Sequence, residues 1–182
     1  MKKKVFFLLI ILSAVNLNAQ EKKNFVQKLV DKGVMWSGEL SARGSFLNLK
    51  GKGFTSMDFT VSFGYNFTKF LNAGIPFGGE TALFEKDGER DWASNGTIGL
   101  CVGIVPFRFT EDGDNGLIEL QLAAGSTTWH KYDWQYTYYD CRINLAYGKT
   151  AKLQGGFGFR YYDARKSDNR MCLYVSLGYR IN

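Results

Sequence analysis

Past its first fifteen residues the 182-residue chain has no long uninterrupted apolar run, and it carries only three cysteines, two prolines and one histidine. Each scarcity excludes something. Cys101, Cys141 and Cys172 lie far apart, without the even count and tight spacing of a disulfide framework and without the paired spacing of a structural zinc site. They read as small residues of a sheet wall. With His130 the lone imidazole, neither a histidine-based metal centre nor a well-formed nucleophile, base and orienter triad can be assembled from recognisable motifs. No metal, cofactor or catalytic residue is expected. A formal net charge of +6 invites a nucleic-acid reading, but Lys2, Lys3 and Lys4 supply half of it and no basic patch accompanies a nucleic-acid motif. No nucleic-acid partner is expected.

What is present begins with a leader. Three lysines precede an apolar stretch from Val5 to Val15, and the small Ala19 stands before Gln20, the layout of a cleaved signal peptide over residues 1–19. A permanent anchor would need about 20 apolar residues, which this stretch does not reach. No cysteine sits at the cut to carry a lipid. Residues 20–32 are charged and weakly amphipathic, and read as a periplasmic arm or short helix. The remainder, 33–182, reads as one domain.

From Trp36 onward the hydrophobic period is two, the mark of β-strands rather than helices. Met57, Phe59, Val61, Phe63, Tyr65 and Phe67 alternate with Asp58, Thr60, Ser62, Gly64 and Asn66; Met171 to Ile181 repeats the pattern against Cys172, Tyr174, Ser176, Gly178 and Arg180. Similar runs start at Trp36, Leu71, Ile98, Ile118, Tyr139 and Leu153, giving eight strands. The connections 44–55, 86–95, 128–135 and 163–170 are long and polar, whereas 68–70, 110–116 and 148–151 are mostly tighter. Long loops alternating with short turns, and an even strand count, predict an all-β, eight-stranded, antiparallel up-and-down transmembrane barrel with both ends in the periplasm. A soluble, lipocalin-like cup with the apolar face inward is the competing arrangement. Glycines 64, 99, 103, 156 and 158 on the polar face favour a crowded interior instead. Pro76 predicts a bulge, because proline inside a closed sheet deletes a ladder bond.

An outward oily face leaves Glu39, Arg43, Asp58, Glu80, Glu119, Gln121, Asp140, Arg142, Asn144, Gln154, Arg160 and Arg180 inside. Buried charges persist when paired, so a lumen network is expected, with Arg43 beside Asp58, Asp140 beside Arg160 and Glu39 beside Arg180. Trp36, Phe67, Phe70, Phe107, Trp129, Trp134, Tyr147 and Tyr179 are placed to form interfacial girdles. Trp129, His130, Tyr132 and Trp134 crowd one predicted outer loop and are its candidates for touching an external ligand.

The leader ending Asn18-Ala19-Gln20, the unit Gly64-Tyr65-Asn66-Phe67-Thr68-Lys69-Phe70-Leu71 and the closing Leu177-Gly178-Tyr179-Arg180-Ile181-Asn182 resemble the small outer-membrane β-barrel domain proteins, the OmpA- and OmpX-like group. The resemblance covers the mature length. It implies outer-membrane localisation, contact with outer-membrane lipid, and a closing strand read by the outer-membrane insertion machinery. That family usually ends on an aromatic residue, and this chain departs with Ile181 and Asn182. The expected role is structural or surface-interacting, with a narrow pore as the alternative and a lipid-modifying enzyme a further one.

Overall fold

The computed structural model describes residues 26–47, 54–86, 89–111, 114–130, 134–164 and 170–182, so the leader lies outside the described residues. Residues 26–31 form one short helix, α1. Eight strands follow: β1 (Val34–Leu47), β2 (Phe54–Asn66), β3 (Leu71–Lys86), β4 (Glu89–Glu111), β5 (Asp114–His130), β6 (Tyr136–Gly148), β7 (Ala151–Ala164) and β8 (Arg170–Ile181). Each pairs antiparallel with its sequence neighbour, and β1 pairs with β8 to close the barrel. Closure leaves every backbone ladder a partner without help from solvent, which a strand edge in hydrocarbon could not have.

The predicted sidedness is what the strands show. Phe59, Leu100, Phe157 and Leu177 are about half to two-thirds exposed on the outside, while Glu39, Asp58, Glu119 and Arg180 are buried inside. A soluble apolar-lined cup is therefore excluded. Burying one large apolar side chain stabilises by about 1.5–3 kcal/mol. Leaving a belt of them in water would overwhelm a fold worth about 5–15 kcal/mol, so hydrocarbon is the solvent this exterior fits.

At one end, here the turn end, lie α1, the turn 67–70, the paired Glu111 and Asp114, the connection 149–150 and Asn182. The other, the loop end, holds Leu47, Phe54, the paired Lys86 and Glu89, Trp134 and Arg170. The loop predicted over 86–95 is mostly strand: β3 and β4 stay paired until Lys86 faces Glu89. The segment predicted over 110–116 is likewise strand among its described residues, with Glu111 facing Asp114. Polar composition misled here, because a ladder continuing into water can be polar on both faces.

The bulge expected at Pro76 is absent. β3 keeps one register through it, with Gly74 opposite Cys101 and Phe77 opposite Ile98 on β4, and Ser62 opposite Pro76 itself on β2. Only the pairs at Ile75 and Pro76 drop from the β3–β4 ladder. The other proline, Pro106, sits within a register shift between Ile104 and Phe107. Val105 points inward in phase with Cys101 and packs with Leu117 and Ala146 as a small apolar floor near the turn end, and the extra residue after it puts Phe107 on the outer face. A second shift, between Gly96 and Thr97 of β4, marks the loop end.

Candidate functional site: a closed polar lumen

The lumen is the only part of the described barrel where charge concentrates away from water, and alternation puts it there. In the loop-end half, β1, β2, β3, β6 and β7 contribute Arg43, Asp58, Glu80, Asp140 and Arg160. Arg43 lies 2.6 Å from Asp58 and 3.4 Å from Glu80. Arg160 donates through Nε to Asp140 at 2.8 Å and reaches to 4.0 Å from Asp58. Hydroxyls complete the coordination. Ser41 donates to Asp58, Ser56 to Glu80 at 2.5 Å, and Tyr174 to Asp140 at 2.6 Å. Tyr136 and, at 2.8 Å, Tyr162 also donate to Glu80. The guanidiniums of Arg43 and Arg160 sit 5.0 Å and 4.2 Å from the ring centroids of Tyr174 and Tyr138. These are distances at which the ring quadrupole attracts a cation.

An aromatic lid caps this half. Trp134 lies 5.1 Å from the Tyr136 ring and 6.5 Å from Tyr162, with Ala82, Ala93 and Cys172 packed around them.

The turn-end half uses amides where the loop end uses tyrosines. Arg180 pairs with Glu119 at 2.8 Å, and Asn72 and Asn144 donate to the same carboxylate at 2.6 and 3.0 Å. Arg142 pairs with Glu39 at 2.7 Å and donates to Gln121. The expected neighbour of Glu39, Arg180, is thus engaged elsewhere. Its Cα stands opposite Ser37, while Glu39 stands opposite Gly178, and the long guanidinium crosses the narrow lumen to β5 instead of following its own strand pair.

Between these groups the free space is small. One gap of about 20 Å³ touches Arg43, Asp140, Arg142 and Arg160, and another of about 10 Å³ touches Ser62, Glu119, Gln154 and Arg180. A single water needs about 10–15 Å³ by this measure, so each gap holds one or two waters at most. A buried pair whose partner is removed costs about 3–5 kcal/mol, so these side chains hold one another in place.

All eight lumen charges singled out from sequence point inward. The four loop candidates do not share a surface. Trp129 is outward and exposed, its indole lying over Gly96. Tyr132 and the His130 side chain fall outside the described residues. Trp134 lies in the predicted connection, just before β6, but is 5% exposed and packs inward on Tyr136 and Tyr162, not in a girdle. Sequence reasoning missed the tyrosine shell of Tyr136, Tyr138 and Tyr162, although parity could have found it. Trp134, Tyr136 and Tyr138 share the even phase of Asp140 and Asn144, and Tyr162 that of Arg160. Among the described residues, no group of His, Cys, Asp and Glu is arranged to hold a metal ion, and the three cysteines are free thiols.

Compared with solved structures, the chain is similar to Neisserial surface protein A, at 14% identity over 82% of this chain and 96% of that one, with a TM-score of 0.54. The fold is that of the small outer-membrane barrels. Ail of Yersinia pestis is also found, at 14% identity over 82% of this chain and 99% of that one, TM-score 0.42. So is the N-terminal barrel domain of Pseudomonas aeruginosa OprF, at 12% identity over 80% and 97%, TM-score 0.33. No family model matches the chain, and no curated protein matches it in sequence.

Proposed function

We propose that this protein is an outer-membrane barrel with a structural and surface-interaction role: it anchors in lipid by its apolar belt and presents the loop end outward. The observation carrying this reading is the combination of an oily exterior with a lumen filled by mutually paired charge. The exterior fits lipid, and lumen gaps of water size argue against a conduit. The pore reading would need a water path past Arg142, which bridges Glu39 and Gln121 between two gaps of water size. The partners on this reading are outer-membrane lipid, the insertion machinery acting through β8, and an external ligand for the loop end.

Fractionation of the expressed protein, with gel mobility before and after boiling, tests the membrane part. Recovery in the outer membrane with a mobility shift supports it, and a soluble periplasmic protein without a shift overturns it. Planar-bilayer recording of the folded protein tests closure, with no unitary conductance expected; discrete steps would restore the pore.

A further inference from the structure

Seven of the ladders join strands that follow one another in the chain; the eighth joins its first strand to its last, with Trp36 facing Ile181. The entropy of closing a loop grows with its length, so this seam is the ladder most expensive to close. The turn end of the seam is where α1 sits. Val26, Leu29, Val30 and Gly33 recur at helical spacing and are half-buried, whereas Gln27, Lys28, Asp31 and Lys32 are exposed. The short helix is thus seated by its apolar side.

Both of its ends are tied. Gly33, at φ +89°, accepts through its carbonyl from the Asn66 backbone N–H at 2.7 Å and from the Asn66 side chain at 3.3 Å, which fixes the exit of α1 to β2. The Thr150 hydroxyl donates to Gln27 Oε1 at 3.1 Å, which fixes its start to the β6–β7 connection. A helix rises about 1.5 Å per residue, so residues 27–33 span about 9 Å. Neighbouring strands lie about 4.8 Å apart, so that span is two strand spacings, from β1 past β8 to β7. Asn182, just beyond β8, joins the same connection: its N–H donates to the Thr150 carbonyl at 3.3 Å, and its oxygen accepts from Lys152 Nζ at 3.3 Å. Thr150 therefore holds α1 by its hydroxyl and the end of β8 by its carbonyl.

We infer that α1 is a clasp across the closing seam, bridging β1 to the β6–β7 connection over the end of β8 and so holding the first and last strands together. The ties are made within the chain, so the clasp acts wherever the barrel resides.

Amide hydrogen exchange of the folded protein in zwitterionic micelles, read residue by residue by NMR, tests it. Gly33→Val disfavours the positive φ, and its Cβ would stand 2.9 Å from the Asn66 carbonyl oxygen, so the exit of α1 is released. Exchange at residues 177–181 should accelerate at least about tenfold, equivalent to about 1.4 kcal/mol of local opening, while residues 117–124 of β5 keep their rates. Gln27→Ala, at an exposed position, and Thr150→Ala each remove the other tie and should accelerate the same amides about threefold, the loss of one modest hydrogen bond. The double variant should be no faster than either, because both remove one bond. Lys28→Gln, on the exposed side of α1, should change nothing.

Unchanged exchange at residues 177–181 in Gln27→Ala, or equal acceleration in β5, would overturn the clasp. Gln27→Ala and Thr150→Ala decide the matter alone should Gly33→Val fail to fold.

Discussion

The two halves of the lumen bury the same kinds of charge by different means. At the loop end Asp58, Glu80 and Asp140 are held by two arginines and by hydroxyls, with aromatic rings packed over the whole. At the turn end Glu119 is held by Arg180 and two asparagines, and Glu39 chiefly by Arg142. Arginine serves several carboxylates in the first case and about one each in the second. The loop-end network is therefore shared, and losing one cation there strands more than one acid. Amides at the turn end act as local substitutes, since Asn72 and Asn144 remain on Glu119 whatever happens to Arg180.

The largest effect expected from that difference is at Arg43, the cation common to Asp58 and Glu80. Arg43→Met should cost about 3–5 kcal/mol of unfolding free energy in urea titrations from micelles, because Glu80 loses its arginine and Asp58 keeps only Arg160, 4.0 Å away. Arg180→Met should cost less, about 1–3 kcal/mol, its carboxylate keeping two amide donors. Equal costs for the two would break the distinction between a shared and a local network. Tyr162→Phe sharpens it further: removing one of several donors to Glu80 should cost about 1 kcal/mol. The smallest effect belongs outside the lumen, where Thr81 and Ser94 share a hydrogen bond at 3.2 Å on the exposed face of the β3–β4 hairpin. Thr81→Ala should stay within about 0.5 kcal/mol, as surface substitutions do.

Much of this site was legible because parity is a strong constraint. Once Met57 and Phe59 face out, Asp58 must face in, and the same logic applied strand by strand places every lumen charge. Applied past the apolar runs, it would also have placed Trp134, Tyr136 and Tyr138 inside. The aromatic character of Trp134 suggested a girdle, and there residue type outweighed phase. The polar stretches around 86–95 suggested a loop for a related reason, because composition reports the solvent a segment meets and not whether its backbone is paired.

Parity cannot choose partners. Strand tilt and stagger decide which inward side chains share a level, and long arginines then reach across as readily as along, so Glu39 meets Arg142 and Arg180 meets Glu119. Nor could sequence say which proline distorts the sheet. Pro76 is absorbed by dropping pairs on its β4 side, whereas Pro106 lies in a bulge that resets the phase so that Phe107 faces out. The sequence by itself determined the strand number, the face each residue takes and the solvent that face requires, because a period of two is a local property of an extended chain. Pairing and closure of the lumen were decided only by the tertiary structure, because they depend on the stagger with which eight strands close on themselves.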